Sequence, residues 1–374
     1  MFRDLSRDPT KSNYRWRILS LCWNCDKTWA QKPGSNDGYR MRFAGFGRNF
    51  LRLFSRYGTY QIICGFLSLL AALRIPSRMT ESSIANLAAS IVASPQAVGK
   101  LTPAGRARWT AAFAFKAHWP EYLMEGAELG LFMISACIVT AVLEHPSSPL
   151  GHILPNPFPR RLITGLAMGL TLLALIHSSW GKRSGAHMNP AFTLMFFRLG
   201  KVEAWDAAFY MVSQFAGGLG GVLVSLLLLG PFLAHPKVNF AATQPGMRGI
   251  LVALVAELLI SFLLALTVLI VSNHQSISRL TPYFAASLVA SYITLEAPFS
   301  GMSMNPARTL GSAIPAHAFH ALWIYFTAPP IAMLMAAETY LSTRSARAVY
   351  CAKFHHDNDQ RCIFRCRYRE RKKD

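Results

Sequence analysis

Two stretches of this chain carry the same polar residues in the same order, and each reads as the start of a helix. Ser184-Gly185-Ala186-His187-Met188-Asn189-Pro190-Ala191-Phe192-Thr193-Leu194 recurs, with most positions identical and no gap, as Ser300-Gly301-Met302-Ser303-Met304-Asn305-Pro306-Ala307-Arg308-Thr309-Leu310. Asn is among the strongest N-cap residues and Pro is favoured at the first helical position. Asn189, Pro190 and Ala191, and again Asn305, Pro306 and Ala307, therefore predict capped helix N-termini, each equivalent to roughly half a positive charge. A single copy in a soluble protein would need no further account than a cap. Two facing copies inside a membrane would repel cations and protons, while the amides of Asn189 and Asn305 still donate to a neutral oxygen in single file.

The elements that must position these residues are apolar and long. A membrane-spanning helix needs about 20 mostly apolar residues, and segments near 122–143, 161–179, 205–229, 248–271, 282–298 and 319–340 meet that description. Pro146, Pro149, Pro155, Pro157 and Pro159, and later Pro231, Pro236 and Pro245, break the connections. Each Asn-Pro-Ala motif lies between two such segments and is followed by an apolar run too short to cross, Phe192 to Phe197 and Leu310 to Ile314. Short hydrophobic segments in corresponding positions of two halves are the sequence signature of re-entrant half-helices. Ala127-Glu128-Leu129 and Ala256-Glu257-Leu258 extend the duplication upstream. Each half then holds three spans, an odd number, so the second half enters from the opposite face. The fold class expected is an all-α membrane protein with six transmembrane helices and two re-entrant half-helices in an inverted repeat.

Composition agrees with that reading and narrows it. The 374 residues are 52% hydrophobic and 15% charged, with a net charge of +20. Roughly half of the 38 basic side chains precede residue 119 and many of the rest follow residue 344. A basic rim on an apolar middle argues for a membrane surface and against nucleic acid. Lys182, Arg183, Arg198, Lys201 and Arg279, together with both termini, fall on one side of a six-span arrangement, which makes that side cytoplasmic. The expectation is a multi-pass protein of the plasma membrane with both termini in the cytoplasm. Neither a nucleotide-binding loop nor a catalytic constellation occurs, so no enzymatic activity is expected.

These motifs and spans, over about residues 119 to 342, resemble the aquaporin and glycerol-facilitator family, the major intrinsic proteins. Ser184 to His187, Arg308, Gln214 with Gly217 and Gly218, and the stretch from Trp323 to Pro329 agree with it. The resemblance implies a passive channel for water or small neutral solutes such as glycerol and urea, assembled as a homotetramer. It also implies that Glu128 and Glu257 brace the re-entrant loops; read from the residues themselves, His187 is a hydrogen-bonded loop residue and Glu125, nearer the water interface, a solvated one. The filter it implies is Arg308, Met302, Ile293 and either Gly169 or Met168. Strict water channels carry a His where this chain has Ile293 and an aromatic residue at the last position. Thr309, Ala313, Tyr325 and Phe326, by contrast, resemble water channels.

Three regions follow from this reading. Residues 1–118 form a basic extension, poorly ordered or with an interfacial helix over Tyr57 to Leu73, and contain a lone Cys22-x-x-Cys25. Residues 119–344 form the channel, with repeats near 119–230 and 248–342. Residues 345–374 form a basic tail in which Cys351, His355, His356, Cys362 and Cys366 offer zinc-type ligands without a standard finger spacing. No other cofactor is expected. Two alternatives to a plain channel remain: a weakly conducting structural protein of the same fold, suggested by Met302 and Ile293, and a channel gated by metal at the tail.

Overall fold

The computed structural model describes residues 110–344 and 348–368. The expectations for the N-terminal extension up to residue 109, including the Tyr57 to Leu73 segment and the Cys22 and Cys25 pair, lie outside the described residues. Among the described residues the regular structure is helical, and the longer helices are α1 (Ala111–Glu144), α2 (Pro157–His177), α3 (Pro190–Arg198), α4 (Ala204–Leu229), α5 (Ile250–Ser272), α6 (Thr281–Leu295), α7 (Pro306–Ala316) and α8 (Leu322–Thr343). Short helical turns at Ser179–Ser184 and Ala297–Ser300 precede α3 and α7.

The helix pairings themselves reveal the duplication. Helix α1 packs on α4 as α5 packs on α8, α1 on α2 as α5 on α6, α3 on α4 as α7 on α8, and α4 on α7 as α8 on α3. The pairs α2 with α6 and α3 with α7 map onto themselves. Exchanging the two halves therefore leaves this set of contacts unchanged, which is the property of a structural repeat.

Glycine sets the closest approaches. A Cβ on Gly217 of α4 would stand 1.9 Å from the Gly126 carbonyl oxygen of α1, so neither helix tolerates a side chain there. Gly218, one residue on, meets Ala307 and Gly311 of α7 instead. Small residues thus let α4 lie flush against α1 and α7.

Helices α1, α2, α4 and α5 are each long and apolar enough to cross a membrane. Helix α6, with 15 residues, rises only about 22 Å, and the turns Ser278–Leu280 and Ala297–Ser300 extend it at its two ends. Helix α8 contains Pro329 and Pro330. Large apolar side chains such as Leu170, Val212, Leu227 and Leu251 point outward and stay exposed, as lipid-facing residues do. Buried between the helices lie Glu121, Glu125, Glu128, Gln214 and Glu257, polar groups that an apolar bundle accepts only when they are partnered.

Helix α1 begins at Ala111, with Thr110 capping the Phe113 amide. The boundary expected at 118/119 consequently falls inside this helix. Lys116 and Pro120 lower the local hydropathy and masked its first turns, although Pro120 is accommodated within the helix.

Candidate functional site

The two Asn-Pro-Ala motifs meet. The Asn189 side chain caps α3 by accepting from the Ala191 amide, and Asn305 caps α7 by accepting from Ala307 and Arg308. Each amide nitrogen then reaches across to the other loop: Asn189 Nδ2 donates to the Met304 carbonyl and Asn305 Nδ2 to the Met188 carbonyl, both at 2.7 Å. The two helix starts are thereby tied together by reciprocal bonds, with α3 and α7 leading away from the junction.

Matching backbone and side-chain bonds shape the two loops. Gly185 and Gly301 adopt φ of 103° and 78°, Ala186 and Met302 follow at 57° and 52°, and Met188 and Met304 at 48° and 54°. Non-glycine residues in this left-handed region are strained unless the surroundings hold them there. Ser184 Oγ accepts from the Ala186 amide and Ser300 Oγ from the Met302 amide, each at 3.0 Å. Tyr210 OH donates to the Ser184 carbonyl and Tyr325 OH to the Ser300 carbonyl. His187 bonds Thr193 in one loop and Ser303 bonds Thr309 in the other.

The bracing carboxylate is the expected one in the second half and differs from the expectation in the first. In the second half Glu257 alone accepts from Ser300 Oγ and from the amides of Ser303 and Met304, at 2.7 to 2.8 Å. In the first half the amides of His187 and Met188 donate to Glu125, at 2.8 and 2.7 Å, and Gln214 Nε2 donates to it as well. Among the described residues Glu128 accepts only from Ser184 Oγ, at 3.1 to 3.2 Å. Glu125, expected to be solvated, is fully buried and is the main brace. Glu121, Glu125 and Glu128 recur at helical spacing on one face of α1, a pattern that could have marked all three. Glu121 is paired with Arg183 at 3.0 Å.

The expected filter residues are placed as follows. Arg308 lies in the first turn of α7, and its guanidinium donates to Thr243 Oγ1 in the segment between α4 and α5. That segment also abuts Gly301, and the Gly246 amide donates to the Phe299 carbonyl. Met302 is buried beside the second motif, and Ile293 is partly buried near the end of α6. Gly169 is a packing residue: a Cβ there would point at Ala286 and Ala290 of α6, with the Ala286 oxygen 2.9 Å away. Its neighbour Met168 is the candidate of the two that carries a side chain. Tyr325 is buried and engaged with Ser300, whereas Phe326 stacks on Phe215.

Sequence comparison bears on these loops directly. Residues 116–340 match the family described as Major intrinsic protein. The chain belongs to the major intrinsic protein family. Among similar major intrinsic proteins are the probable aquaporin NIP7-1 of Arabidopsis thaliana, 32% identical over 46% of this chain and 62% of its own length, and the aquaporin NIP2-2 of Zea mays, 31% identical over 59% and 74%. For the first of these, the match spans under two thirds of the relative's length. The aquaglyceroporin of Plasmodium falciparum shares the fold, with a TM-score of 0.51 at 19% identity, covering 62% of this chain and 98% of that one. This major intrinsic protein is accordingly an integral, multi-pass membrane protein with the all-α fold of its family.

The tail, expected as a separate region, packs against the first loop. His187 is only 3% exposed; its Nε2 lies 2.8 Å from the Ala352 carbonyl and its ring stacks on Phe364, 5.3 Å between centroids. Within the tail, Cys351, His356, Cys362 and Cys366 converge, whereas His355 turns to the ring of His177, 4.9 Å away, and stands outside the cluster. Hydrogen bonds from Cys351 and Cys362 hold the Cys366 thiol well below its ordinary range, while burial pushes the Cys351 thiol well above it. Burial pulls His356 down, but hydrogen bonding to Cys362 and Cys366 outweighs this and raises it to about 9. Lys353 is lowered by burial.

Proposed function

We propose that the chain is a passive channel for water and small neutral solutes such as glycerol and urea, with Asn189 and Asn305 at the centre of its path. The observation that carries this reading is the reciprocal pair of asparagine bonds joining two capped helix starts inside an apolar bundle. Two abutting N-termini, each worth roughly half a positive charge, oppose cations and protons at that point. Asparagine amides and the carbonyls of the left-handed loops offer the matched donors and acceptors along which a neutral oxygen can pass. The curated relatives bear the name aquaporin, which supports water as a substrate.

Arg308 adds a second positive group within the first turn of α7, and Met302 and Ile293 make the surrounding filter apolar, with Met168 the better candidate for its fourth wall. Such a filter lacks the polar histidine of strict water channels and suits solutes larger than water. The channel works as a homotetramer in the plasma membrane with both termini cytoplasmic, the side on which the basic residues gather. Stopped-flow light scattering on reconstituted vesicles, under gradients of water, glycerol and urea, tests the reading. Flux above empty vesicles for water and at least one solute is expected, and empty-vesicle rates for all three would reject it.

A further inference from the structure

The Cys/His cluster of the tail is the one concentration of soft ligands that the channel reading does not use among the described residues. The candidate ligand atoms of Cys351, His356, Cys362 and Cys366 all lie within 4.8 Å of one another. Cys351 Sγ and Cys362 Sγ are 3.5 Å apart, and Cys366 Sγ is 2.9 Å from His356 Nε2. Four-coordinate zinc, with Zn–S near 2.3 Å and Zn–N about 2.0 Å, spreads its ligand atoms about 3.3 to 3.8 Å apart. Three thiols and one imidazole form a set that favours zinc over hard cations. All three cysteines are free thiols.

The surroundings of the ligands fit the same purpose. The His356 ring is fixed by stacking on Tyr368, with centroids 4.2 Å apart and planes within 18°. The Tyr368 amide lies 3.4 Å from Cys366 Sγ, an outer hydrogen bond of the kind that orients metal thiolates. Segment 348–368 has almost no regular secondary structure, yet it buries Lys353, whose Nζ donates to the carbonyls of Lys182 and Arg361, both at 2.7 Å. A metal held by ligands spread along such an irregular segment would add folding free energy to these bonds.

We propose that Cys351, His356, Cys362 and Cys366 form a tetrahedral zinc site that clamps the tail as a lid over the end of the channel where the His187 loop enters. The lid clause rests on the channel reading; the metal site does not. The tail reaches several separate parts of that face. Phe354 donates its amide to the Gly185 carbonyl, Arg365 to Lys201, and Tyr350 to the side chain of Asn273. Phe354 also packs edge-on against Phe192 at the start of α3. Zinc at the four ligands would fix 351, 356, 362 and 366 relative to one another and so hold these contacts in place.

The test uses the full-length protein purified in detergent without chelator. Elemental analysis should find about one zinc per chain, reduced several-fold in C362S and C366S and unchanged in H355Q. Cobalt in place of zinc should give the intense visible bands of a tetrahedral thiolate complex. Trypsin should cleave the tail at Arg361 and Arg365 several-fold faster once the wild-type protein is stripped of metal, a readout that needs no variant to fold. In vesicles, chelation should raise water flux in the wild type and leave C366S unchanged. Zinc at buffer background, or a Cys351–Cys362 disulfide in the purified protein, would overturn the site. Tail cleavage indifferent to metal would overturn the clamp, wild-type flux above empty vesicles but unchanged by chelation would overturn the lid, and flux equal to empty vesicles with and without metal would overturn the channel reading instead, while the metal and cleavage readouts stand apart from transport.

Discussion

Glu257 holds its loop alone, whereas the first half divides the same task between Glu125 and Glu128. The family resemblance assigned the brace to Glu128, the Glu of the repeated Ala-Glu-Leu stretch; the loop amides donate instead to Glu125, one turn earlier on the same face. A buried donor left without a partner costs about 1–3 kcal/mol. Glu125→Ala orphans the amides of His187 and Met188 and removes one of the two acceptors of the Gln214 side chain, so it should lower the thermal stability in detergent clearly more than Glu128→Ala. Equal losses would contradict the assignment. Arg308 is held by Thr243. Arg308→Ala should admit larger solutes or cations, and Thr243→Val should shift selectivity the same way by a smaller amount, both read as relative flux in vesicles. An unchanged solute profile in Arg308→Ala would remove this residue from the filter.

At the scale of elements, the closest contact is the one between α1 and α4. A methyl group on Gly217 would overlap the Gly126 oxygen, whereas one on Gly220 would meet nothing within 4 Å. Overpacking a tight contact costs about 1–3 kcal/mol, so Gly217→Ala should depress the melting temperature of the purified protein while Gly220→Ala leaves it almost unchanged. The duplication and the half-helix starts were legible in the sequence because Asn-Pro-Ala is both a repeated string and a local cap, and capping is decided within a few residues. What escaped were features set by distant contacts. The packing of Gly169 against Ala286 and Ala290 of α6 is a contact between distant residues, and the start of α1 was hidden by Lys116 and Pro120. The tail's attachment to His187 joins residues far apart in the chain, and its irregular backbone carries no periodic signal.

For the whole molecule, the two halves are alike in their loops and unlike in what covers them. The second loop is overlain by the segment between α4 and α5, which belongs to the bundle itself, and the first by the C-terminal tail. Under the proposed zinc clamp, one end of the proposed path has a cover that can be released while the other is built in. In the proposed channel the repeat makes the path, and the departures from the repeat, Arg308 opposite Phe192 and Met302 opposite Ala186, are where its selectivity is to be tested. The most direct measurement is stopped-flow light scattering on vesicles holding the purified protein stripped of metal, under separate water, glycerol and urea gradients, with proton leak followed in parallel. Rapid water flux, flux of at least one of the two solutes, and no proton leak are the predicted result; rates no faster than empty vesicles for all three gradients would contradict the account.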